Sequence, residues 1–209
     1  MSTSASETHL VSEPEDPRIL EANLNVGIRL FASAVAFVFL GFVFAFFYLK
    51  ALNSNGDWRI HINPSQGYGL ATLLCVLGAT AFFEFARRGG LARAATRVWR
   101  PNLAIALVLA IASAVLLVLQ LTSTPFPVTN GGYASVFYGA TALLLVFWLG
   151  AVYWLETLLA GTLRGVSSTE EVSGGPLELL GPSAVACEVY LAVMAAIQLV
   201  FYVLLYLIK

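Results

Sequence analysis

The feature that most constrains this chain is an apolar stretch, residues 131–155, that carries no charge before Glu156. Its 25 residues let a helix cross a bilayer core of roughly 30 Å with some tilt. Small residues recur along it, where another helix could approach closely: Ala134, Ala140, Gly150 and Ala151. Aromatic residues stand near both ends, as interfacial anchors do: Tyr133, Phe137, Tyr138, Tyr153 and Trp154. The stretch is predicted to be a membrane helix that packs against other membrane helices.

Four further apolar stretches extend this prediction to an all-α, polytopic membrane domain with five transmembrane helices. With 59% hydrophobic and 11% charged residues, the composition excludes a soluble domain. The predicted spans cover about residues 28–49, 68–86, 101–121, 131–161 and 182–208, within a membrane domain of residues 26–209. Residues 1–25 are rich in Ser, Glu and Pro and lack the apolar and basic regions of a signal peptide. They are predicted to form a polar cytoplasmic tail that is disordered or lies on the surface.

Arginines determine the predicted orientation of these spans. The connector after the second span holds five of them: Arg87, Arg88, Arg93, Arg97 and Arg100. The same side of the membrane adds Arg18, Arg29 and Arg164, and the opposite side holds Lys50, Arg59 and Lys209. Because basic residues concentrate on the cytoplasmic side, the amino terminus is predicted inside and the carboxyl terminus outside. Pro101 follows the connector and is predicted in the first turn of the third helix.

Residues that could bind a cofactor or carry out catalysis are scarce. The two histidines are His9 in the tail and His61 in a loop, so no predicted span supplies the imidazoles of a bis-histidine haem. Cys75 and Cys187 fall within apolar runs, without the spacing of a metal site. Nucleotide-binding loops, a nucleophile elbow and a basic groove for nucleic acid are also missing from the sequence. We therefore predict no catalytic, cofactor-binding or metal-binding residue, and no nucleic-acid partner.

Three glutamates lie within spans or at their edges: Glu84, Glu156 and Glu188. The predicted orientation puts all three toward the cytoplasmic ends of their helices, with Glu188 deepest. The simpler interpretation is that they reach the interface or neutralise connector arginines across helices. The alternative is a lipid-headgroup or proton-collecting surface formed together with Arg87 and Arg88.

Other polar and aromatic residues in the spans have structural interpretations. Gln120 and Gln198 are predicted to form interhelical hydrogen bonds. The phenylalanines of the first span cover every helical face, which indicates both lipid contact and packing: Phe37, Phe39, Phe42, Phe44, Phe46 and Phe47.

The fourth span also carries a recognisable motif. Gly131, Tyr133, Ser135, Phe137 and Thr141 have the spacing G-x-Y-x-S-x-F-x-x-x-T. This resembles the opening of a long helix in subunit III of haem-copper (cytochrome c) oxidases. Most of the chain after the tail is similar to the five-helix bacterial form of that subunit. Further similarities are the A-F-F-Y-L-K ending of the first span, the A-R-R-G-G after the second, Gln120, and the closing Y-V-L-L-Y-L-I.

The resemblance covers the scaffold and omits the family's polar sites. The family's glutamate in the first shared helix falls on Val35. Its F-H-x-x-H run falls on residues 143–147, and its W-H-F-V-D run on residues 191–195, neither of which keeps those polar groups. Roles that depend on these groups, in proton handling or lipid clamping, are not implied here.

The resemblance implies a non-catalytic accessory subunit of an oxidoreductase complex, a haem-copper terminal oxidase in a bacterial or archaeal plasma membrane. Its expected partners are subunit I, subunit II and phospholipids held in a cleft of a subunit III-like bundle. Haem and copper are expected in the partner subunits and not in this chain. Two alternatives remain open: an accessory subunit of a nitric oxide reductase, and a small stand-alone transporter. A transporter would be expected to show a broken helix or a charge near mid-membrane.

Overall fold

The computed structural model describes residues 17–52, 58, 64–93, 95–164 and 180–208. Within these ranges the chain is helical and has no strand; its long helices are α1 (Pro17–Leu52), α2 (Gln66–Phe85), α3 (Thr96–Ser123), α4 (Gly131–Arg164) and α5 (Gly181–Tyr202). Five helical segments are long and apolar enough to cross a membrane. The predicted all-α fold with five candidate spans is therefore confirmed, and it is the architecture of a multi-pass membrane protein.

Two helices continue through altered turns at their carboxyl ends. A π-helical turn, Ala86–Gly90, and a 3₁₀ turn, Leu91–Arg93, follow α2, and a π-helical turn, Val203–Leu207, follows α5. Both extensions lie outside the middle of the apolar segments, so the central part of each span is an uninterrupted α-helix.

Two helices begin earlier than the apolar pattern predicts. The first starts at Pro17, a residue suited to the first helical position, so residues 17–25 of the predicted tail are helical. The third starts at Thr96, which places Pro101 inside the helix. The prediction that Pro101 lies in the first turn was wrong, because helical structure extends into the polar connector beyond the apolar run.

The packing order places α4 and α5 at the centre. The helix α4 contacts α1, α3 and α5, and α5 contacts α1, α2 and α4. The most extensive contact is between α2 and α3, which form an antiparallel hairpin. The helix α1 packs chiefly on α4 and α5. Its apolar segment is the least buried of the five candidate spans, with 22% of its most apolar residues buried against 56% for α5.

The packing of α4 follows its small residues. Ala134, Ala140 and Ala151 are fully buried, whereas Gly150 is exposed. This largely confirms α4 as a packing helix. Likewise, in α1 Phe39 and Phe46 are buried while Phe37, Phe44 and Phe47 are exposed, which confirms that its phenylalanines serve both packing and outer surface.

Candidate functional site

Antiparallel packing gathers polar residues of α2, α3, α5 and the turns after α2 at one end of the bundle. We call this the basic end and define it by Glu84, Arg87, Arg88, Arg93, Arg97, Arg100 and Glu188. Contacts of α2 and its extension with α3 and α5, and of α3 with α4, establish that these residues share one end. The opposite, aromatic end is defined by Phe46, Trp58, Phe126, Tyr133, Phe137 and Tyr206.

An ion pair joins α5 to the turn that follows α2, with one hydrogen bond from Arg87 Nη2 and a second charge contact from Nε that is not a hydrogen bond. Arg87 Nε lies 2.6 Å from Glu188 Oε2, and Arg87 Nη2 donates to Glu188 Oε1 at 2.9 Å. The two side chains are only 25% and 22% exposed. This confirms that Glu188 neutralises a connector arginine across helices. At 1.5 Å per residue, Glu188 is about 9 Å along the axis from the midpoint of the apolar segment Gly181–Leu207.

A second ion pair lies on one helical surface. Glu84 and Arg88 are four residues apart and form a salt bridge, with side chains 42% and 69% exposed. An exposed pair of this kind contributes about 0.3–0.5 kcal/mol. Glu156 is exposed on α4 and forms no ion pair within the described part of the chain. The structure thus brings four of the five predicted site residues into two ion pairs and leaves Glu156 apart.

The remaining connector arginines have no carboxylate partner among the described residues. Arg93 and Arg97 are exposed, and Arg100 is half-buried with a buried Nε that has no hydrogen-bond partner in the described chain. They surround the amino terminus of α3, where the helix dipole adds positive potential. This surface can bind phosphate groups through charge-assisted hydrogen bonds.

Trp99 fixes the basic end from inside, a role that sequence reasoning missed. It is fully buried, and its indole N–H donates to Thr162 Oγ1 on α4 at 2.8 Å. A Cβ added at Gly90 would lie 2.5 Å from the backbone N and Cα of Trp99. The Gly-Gly pair after the arginines was the available signal, because such close backbone contact requires glycine.

The aromatic end consists of aromatic rings that pack edge-on against one another. Trp58 meets Phe46 and Tyr133 edge-on, at centroid distances of 5.2 and 6.1 Å. Phe126, in the segment after α3, packs edge-on against Phe137 at 5.6 Å. The predicted interfacial role of Tyr133 and Phe137 was therefore wrong, because both are buried against residues of the connecting segments.

Hydroxyl and indole groups tie these rings to neighbouring backbone. Tyr133 donates to the Leu205 carbonyl at 2.7 Å, and Tyr138, half-buried beside it, donates to the Phe126 carbonyl at 2.8 Å. At the far end of α4, Tyr153 is exposed, and the half-buried Trp154 donates to Ser183 Oγ at 3.1 Å. Tyr153 alone among the predicted anchors is strongly exposed.

The two buried amides differ. Gln120 donates from Nε2 to the hydroxyl of Tyr206, a bond between α3 and the turn after α5, so the predicted interhelical hydrogen bond is confirmed. Gln198 is buried, but within the described residues its side chain makes no hydrogen bond. The prediction therefore holds for one amide of the two.

The described residues contain no group of three or more His, Cys, Asp or Glu side chains that could hold a metal ion. His9, His61, Arg59 and Lys209 lie outside the described residues. A scan of the chain against protein-family models finds no match, and a search of curated proteins also finds none. The arrangement of the basic end is suited to binding anionic groups at a membrane surface.

Proposed function

We propose that the chain is a non-catalytic accessory subunit of a haem-copper terminal oxidase, similar to subunit III, in a bacterial or archaeal plasma membrane. The observation that carries the proposal is the motif at the start of α4. Its Tyr133, Phe137 and Thr141 are buried, and Gly131 has a φ of 85° at the first residue of the helix. Motif residues that pack between helices are consistent with a shared scaffold, which is the part of the family that the sequence resembles.

The charges support an accessory subunit over a stand-alone transporter. A transporter is expected to break a helix or to place an ionisable group at mid-membrane. Here Glu188 and Glu84 are each paired with an arginine, Arg87 and Arg88. The irregular turns fall at helix ends. Both observations favour a scaffold that holds its neighbours over a conduit.

In this proposal the subunit packs against subunit I, next to subunit II, and haem and copper belong to those partners. The weakly buried α1 leaves large apolar side chains for a partner or for lipid tails, including Phe37, Phe44 and Leu40, with exposures of 77%, 70% and 60%. The proposed subunit III-like bundle holds phospholipids in a cleft between helices. Arg93 and Arg97 would bind their phosphate groups at the cytoplasmic face, with the amino terminus inside and the carboxyl terminus outside.

Affinity purification in a mild detergent tests the proposal directly. The tagged chain is purified from its own membranes, and a reduced-minus-oxidised visible spectrum is recorded; an identically tagged unrelated membrane protein is the control. We expect a large haem-bearing subunit to co-purify, and oxygen uptake by the complex. A colourless, monodisperse product would overturn the proposal, and nitric oxide consumption without oxygen uptake would indicate the reductase alternative.

The glutamates provide a separate test of a proton role. If Glu156 and Glu188 serve structure alone, replacing each with glutamine leaves oxygen consumption and proton pumping of the intact complex unchanged per unit of haem. A slowed proton uptake in either variant would instead assign that carboxylate to the proton-collecting surface.

A further inference from the structure

We infer that one water molecule is bound beside Gln120 and Tyr206, where α3 meets the end of the α5 segment. The site lies at the aromatic end, away from the arginines, and does not depend on the proposed function. Its basis is a buried polar atom that no described residue satisfies.

Gln120 is 95% buried, since only 5% of it is exposed. Its amide nitrogen donates to the Tyr206 hydroxyl, but its amide oxygen is buried and has no hydrogen-bond partner in the described part of the chain. Buried side-chain oxygens in native proteins are nearly always paired with protein or with ordered water. The amide oxygen of Gln120 therefore calls for a partner.

The assignment of oxygen and nitrogen in this amide decides what kind of partner is needed. With the nitrogen toward Tyr206, the unpaired oxygen needs a donor; in the exchanged orientation Tyr206 donates to the oxygen, and the NH2 group needs an acceptor. Water can serve as either partner.

Tyr206 supplies the second half of the site. It is 4% exposed and accepts the bond from Gln120, while its own O–H donates to no group within the described residues. Water that accepts the Tyr206 proton and donates to the Gln120 oxygen would close a ring of three hydrogen bonds. Those two contacts match the lower limit of the roughly two to four bonds that buried waters make.

The surroundings favour a small neutral ligand. The Tyr206 ring is fixed against Gly69 of α2, where an added Cβ would lie 2.5 Å from a ring carbon, and it stacks on Tyr202 at 5.3 Å. Phe137 lies edge-on at 6.4 Å. None of these contacts carries a charge that would attract an ion. Gln120 is three residues from the end of α3, about 5 Å along the axis, so the site lies near that end of the helix.

A high-resolution structure of the purified protein tests the inference. We expect density about 2.6–3.2 Å from both the Gln120 amide and the Tyr206 hydroxyl. The density should be lost in Gln120→Leu and retained in Tyr202→Phe, the control on the neighbouring ring. An empty position in the wild-type protein, or a protein atom filling it, would overturn the inference.

Discussion

The two ends of the bundle are held together by different chemistry. At the basic end, the Arg87–Glu188 ion pair joins the turn after α2 to α5, and further arginines extend outward without a described carboxylate partner. At the aromatic end, buried rings interlock, and the Tyr133 hydroxyl bonds to a backbone carbonyl. Ion pairs near the surface respond to salt and to bound anions, whereas ring packing does not. The basic end is thus the one suited to respond to its surroundings.

Glycines sharpen this contrast. At the basic end Gly90 faces the backbone of Trp99, while at the aromatic end Gly69 faces the side-chain ring of Tyr206. A backbone contact cannot be relieved without moving a helix, but a ring can tilt if its hydrogen bond is given up. The basic end is rigid in its backbone and polar at its surface, and the aromatic end depends on side-chain fit.

The largest expected effect comes from adding one methyl group at each glycine. Gly90→Ala should destabilise the protein by about 3–5 kcal/mol, because the new Cβ overlaps the Trp99 backbone and forces α2 and α3 apart. Gly69→Ala should cost about 1–3 kcal/mol, since the ring of Tyr206 can shift. Thermal unfolding in detergent measures both changes.

Gly41→Ala is the matched control, because a Cβ there meets no atom within 4 Å. It should be neutral or stabilising by up to about 1 kcal/mol through helix propensity. Equal losses of stability in Gly90→Ala and Gly69→Ala would show that both ends accommodate an added methyl group equally well. The proposed contrast between the two ends would then be removed.

Breaking the Arg87–Glu188 pair should have the next largest effect. Glu188→Gln leaves the arginine charge unpaired at a partly buried position, which should cost about 1–3 kcal/mol, less than for a fully buried pair. Glu84→Gln, on the exposed pair, should cost no more than about 0.5 kcal/mol. Denaturant or thermal unfolding of the purified protein compares them.

Exchanging the charges of Arg87 and Glu188 distinguishes the effect of their attraction from the effect of burying the two side chains. The double variant Arg87→Glu with Glu188→Arg should recover most of the loss seen in either single variant, because attraction across the helices is restored. If the double variant loses as much unfolding free energy as the two single variants together, the pair stabilises the protein through its packing and not through its charges.

Much of the fold follows from the sequence, because long uncharged runs can be stabilised in lipid only as helices. The start of α4 at Gly131 was predicted correctly, and so were the five candidate spans. An interhelical hydrogen bond of Gln120 was predicted without naming its partner, because a buried amide must form a hydrogen bond. Its partner Tyr206 was not, because 86 residues separate them in the chain.

The predictions that were wrong, for Tyr133, Phe137 and the start of α3, depend on structure that the local sequence pattern does not determine. Aromatic residues near a helix end are typical of interfacial anchors, but Tyr133 and Phe137 are covered by Trp58 and Phe126 from connecting segments. The same pattern therefore describes two environments. The start of α3 was missed because a helix can extend past its apolar run into polar residues, which hydropathy alone does not count.

A smaller effect is expected from the hydroxyl of Tyr133. Tyr133→Phe removes its donation to the Leu205 carbonyl and should cost about 1–2 kcal/mol, with little dependence on salt. Tyr48→Phe is the control, because Tyr48 is 53% exposed and stacks on Phe44. Unfolding measured at low and high salt should give the same loss for Tyr133→Phe. A loss that shrinks with salt would mean that the aromatic end is also held by charge.

The smallest effect on stability should come from the exposed arginines, where the largest effect on lipid is expected. Arg93→Gln with Arg97→Gln should change the free energy of unfolding by no more than about 0.5 kcal/mol, because neither side chain is buried. Removing two phosphate-binding groups should nevertheless reduce the anionic phospholipid that remains bound after detergent purification, measured by native mass spectrometry. Arg88→Gln is the matched control, since Arg88 is already paired with Glu84. If all three substitutions leave bound phospholipid unchanged, the positive charge at this end serves orientation in the membrane and not lipid binding, and the two ends differ in how they are held but not in what they bind.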